Sequence, residues 1–319
     1  MGARRLEPAL ERLRTVNLQG NVLITGGSGT LGRAILLRAR REDWDCHFTI
    51  FSRSELLQSR MRQRFPEATY LLGDVRDYPR VEAALAGQRT VIHAAALKRI
   101  PEAEVQPQEC HQTDVVGSWN VLRACQAMGV RDCLGISTDK ACRAVTAYGA
   151  SKLLMEKFFQ SAPKDPTFFH LVRYGNVVAS NGSVIPIWRE QARQDKPLPI
   201  TDQRCTRFWL SEQDAVEWLL AALEQPAGTI LVPKLSALPI LELIALVAPQ
   251  ASWVETGLRS CEKLHEDLIH TDEPALDLGR AFLIHPQGQL GHRYTSETAP
   301  RLSPSDYLRM LSEAEEADD

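Results

Sequence analysis

Apolar positions in the first half of the chain fall into two alternating patterns. Short unbroken apolar runs recur, and between them lie stretches in which apolar residues return every three or four positions. The first pattern predicts strands buried on both faces, the second amphipathic helices. Strands are expected at 21–25, 46–51, 69–72, 90–93, 132–136 and 167–172, and helices at 30–41, 54–64, 79–86, 107–127 and 148–160. Close alternation of this kind predicts an α/β fold, a Rossmann-type doubly wound parallel sheet with helices on both faces. Beyond Arg173 the sequence is mixed and punctuated by Pro186, Pro197, Pro199, Pro226, Pro233 and Pro239, which predicts a smaller mixed C-terminal domain of loops, short strands and helices. The expected division is an extension at 1–19, helical around Pro8 to Leu13, a first domain at 20–173, a second at 174–310 with segments returning to the first, and a tail at 311–319. That tail is acidic, lacks apolar anchors and is expected to fray.

Composition narrows the function classes. Hydrophobic residues make up 44% of the 319 positions and charged residues 24%, the profile of a soluble globular protein with a sizeable core. A net charge of -3 gives no nucleic-acid footprint, so anion binding has to be local. The seven cysteines are odd in number and form no CxxC pair, which favours reduced thiols over a disulfide framework or a zinc site. No metal is expected. The opening MGARRLEPALERLR is too charged for a signal peptide, and Leu6 stands where a myristoylation motif needs Ser or Thr. The apolar run at 235–249 is short and carries Glu242, so it reads as a core helix and not a membrane span. A cytoplasmic protein with no membrane partner is the expectation.

The turn after the first strand reads Thr25-Gly26-Gly27-Ser28-Gly29-Thr30-Leu31-Gly32. Gly26, Gly29 and Gly32 permit a tight turn and close approach to a pyrophosphate, while the helix starting at Thr30 and Leu31 offers N–H groups and the positive end of its dipole. A glycine pattern alone is equally an ordinary loop. Its place between a predicted strand and a predicted helix points to a dinucleotide. Past the second strand comes Ser52-Arg53-Ser54, where an NAD enzyme places an acid on the ribose 2′-hydroxyl and where an arginine accommodates a 2′-phosphate. Arg53 therefore favours NADP over NAD, although a solvated arginine is the simpler reading and Glu55 opposes it. Asp74, followed by Val75, ends the third strand and is either an adenine contact or a turn former.

Tyr148 and Lys152 stand one helical turn apart on one face. An ammonium near a phenol favours the tyrosinate, which can take a hydroxyl proton while hydride leaves for a nicotinamide. Such pairs are common by chance on surfaces. This one follows a strand ending in Ser137-Thr138, at the carboxyl edge where open α/β sheets bind ligands.

Taken together, Ser137-Thr138-Asp139-Lys140-Ala141 and Tyr148-Gly149-Ala150-Ser151-Lys152 resemble extended short-chain dehydrogenases/reductases. More narrowly, they are similar to the UDP-N-acetylglucosamine 4,6-dehydratases of polysaccharide biosynthesis, the inverting, 5-epimerising kind in particular. His93-Ala94-Ala95-Ala96-Leu97-Lys98, Arg173-Tyr174-Gly175-Asn176-Val177-Val178, Gly182-Ser183-Val184-Ile185-Pro186, Thr206-Arg207-Phe208-Trp209 and Glu262-Lys263-Leu264-His265-Glu266 agree in the expected order, from about residue 20 to about residue 270. The resemblance implies a lyase that dehydrates a nucleotide sugar, works with NADP and forms homo-oligomers. It implies oxidation at sugar carbon 4, after which the ketone acidifies the hydrogen on carbon 5. Lys140 would remove that hydrogen, Asp139 would protonate the departing carbon-6 hydroxyl, and hydride would return to carbon 6. Thr138, Tyr148 and Lys152 complete the implied catalytic set, and Ala94 and Ala95 the cofactor set. Lys98, Asn176, Arg207 and Arg259 would meet the UDP-sugar, with Glu262 accepting from its ribose; guanidinium forks suit phosphate. The simpler alternatives are a turn-capping Asp139, a solvated Lys140 and surface arginines. His93, Trp209 and His265 are read as structural.

Three departures stand out. Cys142-Arg143-Ala144 occupies the place of the family's Asn-Pro, in a loop expected to approach the sugar and alter substrate or stereochemistry. Ser260-Cys261 replaces Pro-Gly before the uridine motif, and Asp114 stands where related proteins carry Asn, behind the site. Two other functions compete. A nucleotide-sugar 4-epimerase needs Tyr148 and Lys152 but no elimination pair. A non-catalytic dinucleotide-sensing protein on the same fold needs neither.

Overall fold

The computed structural model describes residues 17–180 and 182–318, so the helix expected around Pro8 to Leu13 lies outside the described residues. Strand β1 (Gly20–Thr25) leads through the glycine turn into α1 (Thr30–Arg41), followed by β2 (Cys46–Ser52), α2 (Glu55–Arg64), β3 (Thr69–Leu72), α3 (Tyr78–Leu85) and β4 (Thr90–His93). After β4 come α4 (Ile100–Val105) and a helical stretch, 107–128, that ends in α5 (Gly117–Met128). Then follow β5 (Asp132–Thr138), α6 (Ala147–Ser161) and β6 (Phe168–Tyr174). Local chemistry marks the boundaries. Ser54, Asp77 and Thr146 accept backbone N–H bonds at the starts of α2, α3 and α6, and Gly129 closes α5 in the left-handed conformation. By contrast, α1 begins at Gly29 with no side-chain cap.

The remaining chain builds β7 (Asn176–Val177), α7 (Val184–Arg193), β8 (Leu198–Ile200), β9 (Thr206–Leu210), α8 (Glu212–Leu223), β10 (Ile230–Pro233), β11 (Ala237–Pro239) and α9 (Ile240–Val247). It ends with β12 (Trp253–Glu255), β13 (Asp267–Ile269), β14 (Ala275–Asp277), β15 (Ala281–Ile284), β16 (Tyr294–Thr295) and α10 (Pro304–Asp318). The main sheet runs β14-β15-β10-β6-β5-β4-β1-β2-β3. Its seven strands from β10 to β3 are parallel, and β15 and β14 close it antiparallel. Strand order reverses between β1 and β4, which opens the crevice in which such sheets bind ligands. A second layer holds the β11-β9-β7 sheet, the β12-β8 and β13-β16 pairs, and a core of its own around Trp188, Trp209, Leu243 and Tyr307. Helix α8 and strands β10, β15 and β14 return from it to the first layer.

The structure departs from the sequence reading at several points. Helix α4 was not expected. The helix expected at 107–127 is a Pro107–Cys110 turn, a π-helical segment His111–Val116 and then α5. A Cβ on Gly117 would sit 2.6 Å from Val75 Cγ2, so the widened segment ends where the helix passes closest to the β3 side. Strands β5 and β6 run two residues further than their apolar runs, because Ser137 and Thr138 pair with Arg173 and Tyr174. The run at 235–249 divides into β11 and α9. The acidic end does not fray within the described residues: α10 is helical to Asp318, with Leu311 and Ala314 buried. Among the described residues no helix is long and apolar enough to cross a membrane.

Candidate active site

A cleft of about 760 Å³ runs along the carboxyl ends of β1, β4, β5 and β6, under the second layer. Of the candidate residues, Gly26, Gly29, Thr30, Leu31, Ser52, Arg53, Val75, Ala94, Ala95, Lys98, Thr138, Lys140, Tyr148, Lys152, Asn176, Arg207, Arg259 and Glu262 line it. Gly32, Asp74 and Asp139 do not.

At the β1 end the glycines have separate tasks. Gly26 has a φ of +65°, and a Cβ there would lie 2.8 Å from the Ala95 Cα, so only glycine lets the turn close against the strand beside it. A Cβ on Gly32 would lie 1.9 Å from the Gly27 carbonyl oxygen, so Gly32 lets the helix pack closely under the turn. With α1 opening on this floor without a side-chain cap, the cradle fits a dinucleotide pyrophosphate. Ser28 donates to Ser52 Oγ at 2.9 Å, and Gln58, which sequence reasoning missed, donates to the Ser52 carbonyl and hydroxyl and to the Leu71 carbonyl. Arg53 is half exposed at the rim, 3.8 Å from Asp74 Oδ2. Asp74 turns to Arg76, accepting from Nε at 2.9 Å and from Nη2 at 2.7 Å. Burial would raise its carboxyl pKa, but Arg76 and Arg53 outweigh burial and hold it below the usual range. In this structure the carboxylate is held by arginines at the margin of the cleft, between the lining residues Gly73 and Val75.

Tyr148 and Lys152 project from the first turns of α6 beneath the ends of β5 and β6. In this geometry the surroundings of the phenol oppose its ionisation on balance. Burial, then the carboxylates of Asp114 and Asp139 and the phenol of Tyr174, push the Tyr148 pKa well up, against a hydrogen bond with Thr138. Lys152 is buried with its Nζ 3.1 Å from Met155 Sδ. Burial lowers its pKa, and Asp114, Glu156 and Cys110 counter that pull. His93 is enclosed between the hydroxyls of Thr25 at 2.8 Å and Ser118 at 2.9 Å. Burial and the Lys152 charge push its pKa down to about 3, so it is a neutral structural histidine.

Asp139 is fully buried in the 3₁₀ turn Asp139–Ala141 that follows β5. Its Oδ1 accepts from the Lys140 ammonium at 2.9 Å and from the Thr138 hydroxyl at 2.9 Å. Lys140 also reaches Asn176 Oδ1 at 3.5 Å and lies 3.8 Å from Glu266 Oε1. Burial would lower the lysine pKa, but the Asp139 and Glu266 carboxylates raise it above its ordinary value, with Arg207 opposing them. Glu266, buried on the cleft wall, carries the charge pattern one step on: its Oε2 is 3.7 Å from Lys263 Nζ. Sequence reasoning quoted Glu266 only as part of a motif. No periodicity marks it, because the chain from 256 to 266 is irregular.

Arg207 is anchored by the carbonyls of Thr206, Leu264 and Lys263 and pairs with Glu262 Oε1 at 3.1 Å. Glu262 also accepts from Thr201, and Arg259 stands at the exposed rim 3.9 Å from it. Trp209 packs edge-on to Tyr307, and His265 bonds Thr206 at 2.8 Å, both outside the polar cluster. The Cys142-Arg143-Ala144 loop does not line the cleft. Cys142 is buried with its thiol 3.4 Å from Glu273 Oε2, and its carbonyl accepts from Lys263 at 2.6 Å. The departure therefore connects to the site through Lys263 and Glu266. Cys261 lines the cleft and Ser260 does not, while Asp114 lies behind it. Among the described residues no cluster of side chains could hold a metal ion.

Comparison with known proteins follows the geometry. The family model for polysaccharide biosynthesis proteins matches residues 22–282. A UDP-N-acetylglucosamine 4,6-dehydratase (inverting) of Campylobacter jejuni is 42% identical over 267 residues, 80% of this chain and 79% of that protein. A UDP-glucose 4-epimerase of Rickettsia bellii is 39% identical over 285 residues, 84% of this chain and 83% of that protein. The X-ray structure of Pen from Bacillus thuringiensis has a TM-score of 0.86 at 29% identity and covers 94% of this chain and 100% of its own.

Proposed function

Because the chain belongs to the polysaccharide biosynthesis protein family, we propose that it dehydrates UDP-N-acetylglucosamine to a 4-keto-6-deoxy sugar, inverting carbon 5, with NADP as the recycled hydride carrier. One observation carries this reading. Beside Tyr148 and Lys152, Lys140 lines the cleft, and Asp139 lies buried behind it as its acid–base partner at 2.9 Å. Oxidation of a sugar hydroxyl needs only the first pair. Elimination of water needs the second.

The glycine turn at Gly26 and Gly29 and the uncapped start of α1 would hold the dinucleotide, whose nicotinamide would supply reversible hydride acceptance for carbons 4 and 6. Tyr148 accepts the proton of the 4-hydroxyl, with the Thr138 hydroxyl orienting its oxygen and Lys152 supplying the compensating charge. Lys140 begins as an ammonium and has to lose a proton before it can act on carbon 5. Asp139 Oδ1 is the acceptor at hand. One transfer across that contact turns the ion pair into a neutral amine and a carboxylic acid, the two forms that deprotonation of carbon 5 and protonation of the carbon-6 hydroxyl require. Arg207, Arg259, Lys98 and Asn176 bind the diphosphate and sugar, and Glu262 the ribose. Ser28, Ser52 and Arg53 form the polar pocket for a 2′-phosphate, which favours NADP. The layer at 20–173 serves the dinucleotide, most of 174–310 serves the UDP-sugar, and the enzyme works as a homo-oligomer.

The Rickettsia relative, named an epimerase, supports a second reading in which hydride returns to carbon 4. That reaction leaves Asp139 and Lys140 without a task. Mass analysis of the product separates the two: dehydration removes one water from the sugar, whereas epimerisation leaves its mass unchanged.

A further inference from the structure

Asp114 lies in the π-helical segment behind the cleft, 1% exposed, and among the described residues its carboxylate has three hydrogen-bond donors. The Leu97 amide donates to Oδ1 at 2.7 Å, the Ser151 hydroxyl to Oδ2 at 3.0 Å, and the Cys110 thiol to Oδ2 at 3.6 Å. Leu97 precedes Lys98 on the cleft rim, and Ser151 lies between Tyr148 and Lys152 on α6. One buried carboxylate thus ties the loop after β4 to the helix that carries the proton-accepting pair. An asparagine would fill the same space and still accept from Leu97, but it would carry no charge.

We propose that Asp114 is a positioning residue that acts through Tyr148 and Lys152, its buried negative charge setting the pH range over which that pair oxidises the sugar. The proposal rests on the reading of Tyr148 and Lys152 as the proton-accepting pair. While it is ionised, Asp114 makes each group of the pair harder to deprotonate, so the whole bell-shaped profile lies at higher pH than it would beside a neutral residue. The other groups facing the pair do not change with Asp114. Asp139, Tyr174 and Thr138 face Tyr148, while Glu156, Cys110 and His93 surround Lys152, with Glu104 facing Cys110. Burial raises the pKa of Asp114 itself, and Lys152 with the three donors pulls against that rise.

The test is Asp114→Asn, with Asp114→Ser as the second variant should the first not fold. Holoenzyme loaded with NADP is mixed with UDP-N-acetylglucosamine, and reduced nicotinamide absorbance in a single turnover is followed across pH. Both limbs should move to lower pH by about one unit, with the plateau rate changed only a few-fold. A purely structural role would lower the rate at every pH and leave the limbs in place, and that result overturns the proposal. If the wild type reduces no cofactor at any pH, the Tyr148–Lys152 reading fails and takes this proposal with it. If the wild type reduces cofactor and the variants show unshifted limbs, only the role of Asp114 fails.

Discussion

Asp139 meets the Lys140 ammonium through Oδ1 at 2.9 Å, and its other oxygen, Oδ2, is buried with no hydrogen-bond partner among the described residues. The contact joins the two groups that elimination needs and separates them from Tyr148 in task. Asp139→Asn deprives Lys140 of its proton acceptor, and Lys140→Ala removes the base. Both variants should still reduce cofactor and should then accumulate a 4-keto sugar that keeps its carbon-6 hydroxyl. Turnover should fall by roughly 10²–10⁴-fold, the usual contribution of a positioned acid or base. Single-turnover absorbance and product mass check this together. Wild-type turnover in both variants would remove the pair from the reaction.

Tyr148→Phe should block the first hydride transfer, so no reduced cofactor forms and every later step fails. In the wild type, burial and the carboxylates of Asp114 and Asp139 keep the phenol protonated. The proton-accepting form is therefore scarce at low pH, and the rate of the first oxidation should rise with pH. A rate that falls as pH rises through neutrality would contradict this.

Glu266→Gln removes one of the two carboxylates that raise the Lys140 pKa. The acid limb of the elimination step should move to lower pH by about one unit, while the first oxidation keeps its profile. Rapid-mixing measurements that resolve the two steps would show this. A shift in the oxidation step alone would assign Glu266 elsewhere.

Arg53 is half exposed and shares its charge with Asp74 at 3.8 Å. Calorimetry should find NADP bound more tightly than NAD. Arg53→Glu should weaken NADP by at least tenfold, because a charge-assisted contact becomes a repulsion, with little effect on NAD. Equal affinities in the wild type would remove the preference.

His93 links the site to stability. Its pKa is about 3 in the folded protein against an ordinary value of 6.5, so the unfolded chain binds the proton first. The contribution is whole above the unfolded value and is lost as pH falls from 6.5 toward about 3. Denaturant titrations should show a loss of about 2 kcal/mol from this group by pH 5. His93→Asn, which has no ring to protonate, should lose less over the same window.

The alternation of apolar runs and amphipathic stretches made the parallel sheet readable, because strands buried on both faces leave little room for polar residues. Polar ends were harder to read. Ser137, Thr138 and Arg173 extend β5 and β6, and Arg173 is buried only because Glu156 and Glu273 pair with it from distant parts of the chain. The pairing of Tyr148 with Lys152 followed from helical spacing and position. The electrostatics around that pair did not, since Asp114 reaches it from another helix. Asp74 reads as a candidate ligand contact because it ends a strand at the crevice, but its arginine partner was not legible. A guanidinium two residues on, Arg76, claims its carboxylate. Helix α10 was missed because acidic composition masks the two buried positions, Leu311 and Ala314, that anchor its last turns.

The central claim is that carbon 5 is deprotonated between two hydride transfers. Incubation with UDP-N-acetylglucosamine and NADP in deuterated water, read by mass spectrometry and NMR, measures it directly. The account predicts a product lighter by one water, with a 4-keto group, a carbon-6 methyl and solvent deuterium at carbon 5 in the inverted configuration. A 4-epimer of unchanged composition and no deuterium would contradict it.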